Sequence, residues 1–101
     1  MTNDLEAAEA QIIQRAEEIA QEEGLVISET HRRLIGEDPD MNLTIWLHIE
    51  GREDDERITI VVPRQDVSFY LTDQTVQQRV DDAFRAQLRA QLANLNERLN
   101  P

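Results

Sequence analysis

The side chains of this chain best equipped for chemistry are two histidines (His31, His48), two serines (Ser28, Ser68) and twenty-one aspartates and glutamates. Two histidines hold a metal ion only when a carboxylate or water completes the shell. Both fall in segments that read as strands, where a half-buried histidine is ordinary. Neither serine sits in a G-x-S-x-G elbow or in any other pattern that places a base beside it. Adjacent carboxylates are expected without catalysis in a chain this rich in acids. The chain contains no cysteine, so disulfides, thiolate metal sites and cysteine nucleophiles are excluded together. Its three glycines, Gly24, Gly36 and Gly51, stand alone at element ends, whereas phosphate cradles need them clustered so that backbone N–H groups can approach the anion. No catalytic, metal or cofactor site is therefore expected, and the chain reads as a protein that is not an enzyme.

Two acidic clusters suggest cation binding at first sight. Asp38-Pro39-Asp40-Met41-Asn42 begins like a calcium loop, with oxygen ligands at alternate positions. The sixth position is then Leu43 instead of glycine and the twelfth is Ile49 instead of glutamate, so a solvated hairpin loop is the expectation. The second cluster, Glu53-Asp54-Asp55-Glu56, falls in the next turn. Consecutive hairpin turns lie at opposite ends of a sheet, so the two clusters do not converge on one ion.

The elements that must position these residues follow from hydrophobic period. Leu5, Ala8, Ile12, Ile13, Ala16, Ile19 and Ala20 fall within an arc of about 140°, predicting a first helix capped by Asn3 with Glu6, ending at Gly24, with Glu9, Glu17, Glu18 and Glu22 facing water. Leu25–Ile35 is read as a first strand in preference to a short capped helix. Alternation then predicts a strand with Leu43, Ile45, Leu47 and Ile49 on one face and Thr44, Trp46, His48 and Glu50 on the other. Turning through Gly51–Glu56 and returning over Arg57–Val62 sets Ile49 against Ile58, Leu47 against Ile60, Ile45 against Val62, Trp46 against Val61 and Glu50 against Arg57. A short fourth strand is expected at Val67–Leu71, after a turn at Pro63–Asp66.

A long second helix is predicted from a cap at Thr72 or Asp73 to about Leu99. At ~40 Å it is longer than an eight-residue strand of ~27 Å. Val76, Val80 and Ala83 cluster on one side of it, and Leu88, Leu92, Leu95 and Leu99 cluster about 100° further round with 4, 3, 4 spacing. That seam either wraps around the chain's own core or meets another chain. The fold class expected is thus α+β: an N-terminal helix, an antiparallel β-meander of three to four strands and a long C-terminal helix, in a single domain over 1–101.

Charge narrows the partners. The net charge is −11, and all ten basic residues are arginine. A salt-rich cytoplasm, as in a halophilic host, and a GC-rich genome both produce an acidic, lysine-free chain. Residues 1–73 carry eighteen acids and six arginines, whereas residues 74–101 carry three acids and four arginines. Such a surface repels phosphate-rich partners, so neither nucleic acid nor an anionic membrane is expected. The acidic start of the chain is unlike a signal peptide, and no apolar run approaches the ~18 residues of a membrane span, so a cytoplasmic protein is expected. The remaining feature is the second sheet face, with Trp46, His48 and Val61 and, through the fourth strand, Tyr70. Trp and Tyr beside apolar residues are the mixture favoured in interfaces. The function expected is a protein–protein interaction module, adaptor- or chaperone-like and homodimeric, using Trp46, His48, Val61 and Tyr70 or Leu88, Leu92, Leu95 and Leu99. The alternative is a small-ligand or divalent-cation-binding protein using the Trp46/His48 face.

Overall fold

The apolar stripe of the N-terminal segment forms helix α1 (Asp4–Glu22) and is buried from Ala8 to Ala20. The computed structural model describes the backbone of residues 4–50 and 57–99 and the side chains of residues 5–50 and 57–93. The Asn3 cap, the turn through 51–56 and the side chains of Leu95 and Leu99 lie outside those residues. Helix α1 stops as its sequence requires. Gly24 adopts φ +86°, its N–H meets the Gln21 carbonyl at 3.0 Å, and the Leu25 N–H reaches back to Ala20 at 3.1 Å. Paired bonds of this kind satisfy the last carbonyls of a helix around a left-handed residue. Glu9 departs from expectation. It is 4% exposed, and its carboxylate accepts the backbone N–H of Ile35 at 3.0 Å, filling a donor that burial would otherwise leave unpaired.

Strands β1 (Ile27–Arg33), β2 (Asn42–Ile49) and β3 (Arg57–Pro63) form one antiparallel sheet in the order β1-β2-β3, with a 3-10 turn at Ile35–Glu37 before β2. The expected faces are correct: Leu43, Ile45, Leu47, Ile58, Ile60 and Val62 are all buried. The expected partners are displaced by two residues. Leu47 pairs with Ile58, Ile45 with Ile60, Leu43 with Val62, Trp46 with Thr59 and His48 with Arg57. A one-residue slip would have turned the apolar side chains outward, but a two-residue slip keeps them on the same face, so alternation alone does not choose between the two registers.

The fourth strand does not form. Pro63 ends β3, and residues Arg64–Phe69 make a short helix, α2. Val67 and Tyr70, three apart, turn into the core together, while Phe69 is 52% exposed. Spacing of three residues puts Val67 and Tyr70 on one side of a helical turn, which alternation through Phe69 does not reveal.

Helix α3 (Gln74–Leu99) starts where expected, with Asp73 Oδ1 accepting the Thr75 N–H at 2.9 Å. Over its described side chains, the two ends of the helix are joined in one apolar row. Val76, Val80, Phe84 and Leu88 are buried and Leu92 packs against them, whereas Ala83 is exposed. Steps of four residues advance the row only about 40° each, so Phe84 bridges the two ends. This row packs into the core beside β3. The outward-pointing backbone of β3 is tied to α3 by glutamines: Gln91 accepts the Thr59 N–H at 2.9 Å and donates to the Thr59 carbonyl at 2.7 Å, and Gln87 accepts the Val61 N–H at 3.3 Å. Carboxamide side chains thus replace a fourth strand along that edge.

Two stability measurements test these local arguments. Gly24→Ala is expected to lower stability in urea by about 1 kcal/mol although its Cβ would meet nothing within 4 Å, because the loss is one of backbone conformation alone. Gln91→Glu is expected to lower it by about 1–3 kcal/mol, because a carboxylate cannot donate to the Thr59 carbonyl, whereas a shift no larger than that of an exposed-site control would show the glutamine tie to be dispensable.

Candidate functional site

Because α1 covers one face of the sheet and α3 runs beside β3, the opposite face has no helix over it among the described residues. Three cross-strand rows make up this face: Arg33–Thr44–Val61, His31–Trp46–Thr59 and Glu29–His48–Arg57. Trp46, His48 and Thr59 are half-buried, Val61 is 41% exposed, and Thr44 is buried. The guanidinium carbons of Arg33 and Arg57, from the strands on either side, each lie 5.9 Å from the Trp46 ring centroid. That separation is within the range at which an aromatic quadrupole attracts a cation. The His31 and His48 rings meet edge to face with centroids 5.0 Å apart. Glu29 is the one acid in these rows, and its Oε1 lies 3.1 Å from His31 Nε2. On a chain of net charge −11 the open face is therefore an aromatic centre ringed by two arginines and two histidines.

The expected site residues divide accordingly. Trp46, His48 and Val61 share the open face, and His31 lies beside His48 as adjacency of the first strand suggested. Tyr70 is not there. It ends α2, is 7% exposed and belongs to the core. Burial, and then the nearby Asp81 carboxylate, raise its hydroxyl pKa above the ordinary 10.0, against the opposing effect of Arg15. Leu88 is also core, at 1% exposure, and Leu92 packs against that core from its rim, so neither forms a free seam. Arg57 was expected on this face, but opposite Glu50 instead of His48. Arg33 was missed as a member of it, although Arg33 and His31 share one parity in β1.

Other chemistry-bearing groups are engaged elsewhere. Ser28 Oγ donates to the His48 carbonyl at 3.2 Å, and no imidazole lies against it. Asp38 is buried, and its oxygens accept the backbone N–H groups of Asp40 and Asn42 at 3.2 and 3.0 Å, closing the loop that resembled a calcium site. Among the described residues no group of three His, Asp or Glu side chains converges to hold a metal ion. No helix among them is long and apolar enough to cross a membrane.

Tyr70 is the only tyrosine, so tyrosinate absorbance reports on it alone. Its titration in the folded protein is expected above 10.0, returning to the ordinary value in denaturant. A group held neutral by the fold stabilises it below the unfolded pKa and loses that contribution as pH rises toward the folded one. Alkaline titration of stability should therefore show a steeper fall above about pH 10 for wild type than for Tyr70→Phe. A folded-state midpoint at or below 10.0 would contradict the buried placement. No family model, curated protein or solved structure matches this chain, so the geometry of the open face is what bears on function.

Proposed function

We propose that the chain is a non-enzymatic protein-interaction module whose open sheet face, centred on Trp46, docks an acidic segment of a partner protein. The observation that carries this reading is the placement of Arg33 and Arg57 at 5.9 Å from Trp46 on the face no helix covers. Trp and Arg are the residue types most enriched among the few that dominate binding energy. Local charge decides the partner's sign. The rest of the acid-rich surface repels an acidic segment, so binding favours an approach square to this face and disfavours docking elsewhere. The apolar side of Trp46 and the exposed Val61 supply the non-polar part of the contact.

The helix-end dimer seam receives less support, because Leu88 is committed to the core. The cation-binding alternative rests on the proximity of His31 and His48, which supplies two nitrogen donors and only the exposed Glu29 near them.

Trp46 is the only tryptophan, so its emission reports the face directly. Titration with short Asp/Glu-rich peptides carrying an aromatic residue is expected to shift that emission, with affinity falling as salt rises. Basic or neutral peptides of equal length should leave it unchanged. Arg33→Glu combined with Arg57→Glu should weaken binding at least about tenfold, a loss of ~1.4 kcal/mol. Peptides that never move the emission, or that bind the charge-reversed variant equally well, would remove the acidic-partner reading. A response to zinc alone would favour the cation alternative.

A further inference from the structure

We propose that β1 is a self-association edge, at which two copies of this chain pair antiparallel about His31 to form one six-stranded sheet. The sheet has two edges, and the fold treats them differently. The β3 edge is tied off by Gln87 and Gln91. Alternation along an antiparallel ladder then assigns every other backbone group. Because Thr59 and Val61 point outward to α3, Ile58, Ile60 and Val62 point to β2. Their partners Leu43, Ile45 and Leu47 point back to β3, so Thr44, Trp46 and His48 point to β1. Glu29, His31 and Arg33 answer them, which leaves the N–H and C=O groups of Thr30 and Arg32 pointing away from the sheet. Among the described residues no donor or acceptor meets those outward groups. A strand edge left in this state is a template for another strand.

The side chains of β1 say which strand. A two-fold axis normal to the sheet keeps each residue on its own face, so the centre falls on Thr30, His31 or Arg32. Centring on Arg32 sets the Arg32 guanidinium groups of the two copies against each other, opposing like charges. Centring on Thr30 runs the pairing through the irregularity between Ile27 and Glu29, where β1 loses its regular register. Centring on His31 uses only the regular stretch, 29–33. It places Glu29 opposite Arg33 twice on the open face and Thr30 opposite Arg32 twice on the other, with both outward residues exchanging backbone bonds. Glu29 and Arg33 are both exposed and able to meet a partner. The arrangement sets two Trp46 patches side by side on one continuous face. It stands independently of the acidic-partner reading, although Arg33 serves in both.

Sedimentation velocity over a concentration series tests the idea. Salt of about 0.15 M, where the screening length is about 8 Å, reduces the net repulsion between two copies of charge −11. Wild type is expected to pass from monomer to dimer as concentration rises. Arg33→Glu and Glu29→Arg should each weaken the dimer about tenfold, because the axis repeats every like-charge opposition. The double variant exchanges the two charges and should restore it. Thr30→Pro should abolish the dimer while leaving circular dichroism and the Trp46 peptide response unchanged, because the lost N–H is outside the intrachain ladder. That variant separates failure of the edge from failure of the open face. A wild type that stays monomeric throughout would overturn the proposal. So would a dimer that survives Thr30→Pro, or single-variant losses that the double exchange does not rescue.

Discussion

Everything in this fold depends on burying one face of the central strand. Leu43, Ile45 and Leu47 of β2 are wholly inaccessible, and with Ile58, Ile60 and Val62 they make an apolar surface that three short strands cannot hide by themselves. Helix α1 lays its own apolar stripe against that surface. The two helices are joined at their rims by ion pairs, Arg15 with Asp81 at 3.2 Å, Arg85 with Glu22 at 3.4 Å and Arg89 with Glu23 at 2.9 Å. The Arg85 and Arg89 pairs are exposed and contribute little energy individually, whereas the Arg15–Asp81 pair is part-buried. Arg15 shows the balance: burial disfavours its charge, yet the carboxylates of Glu18, Asp81 and Glu22 outweigh that and raise its pKa above the ordinary arginine value.

Covering one face leaves the other to water, and the two sheet edges must be handled separately. A helix lying flat over the apolar face cannot also supply donors and acceptors to a strand edge. Helix α3 does both because its apolar row drifts. Val76 and Val80 face α1 and α2, while further along the row the neighbouring positions Gln87 and Gln91 swing onto the β3 backbone. The four-residue spacing of Gln87 and Gln91 meets the two-residue spacing of Thr59 and Val61, since four helical residues rise ~6 Å and two strand residues span ~6.8 Å. Among the described residues nothing comparable reaches β1, whose outer side carries the backbone groups of Thr30 and Arg32.

Much of this was legible in the residues, and the failures have physical causes. Periods of 3.6 and 2 located α1, β2, β3 and α3, and the Gly24 cap set the end of α1. Period 2 is blind to a two-residue shift, which is why the faces of β2 and β3 were right and their partners were not. Residues 67–71 were misread because Val67, Phe69 and Leu71 alternate, although Pro63 and the Val67–Tyr70 spacing also suit a helix start. Tyr70 left the open face for that reason. Phe84 carried a plain signal, four residues from both Val80 and Leu88, and treating α3 as two clusters concealed it. Glu9 could not have been assigned from pattern, because its role depends on a backbone donor 26 residues away.

The acidity of the chain acquires a more specific meaning from the location of its arginines. Those of α3 whose side chains are described are paired: Arg85 answers Glu22 of α1, Arg89 answers Glu23 just beyond it, and Arg79 answers Asp66 of α2. Among the described side chains of α3 there is therefore no unpaired arginine, and Leu88 adds no apolar surface. Arg33 and Arg57 stand apart from this network. Arg33 has only Asp38 at 3.7 Å, and Arg57 has no ion-pair partner among the described residues. A cation held against an indole in place of a carboxylate keeps most of its charge available to a third group. The same acid-rich sequence that pairs its arginines along the helices places two of them beside Trp46, each 5.9 Å from the indole centroid on the outward face of the sheet.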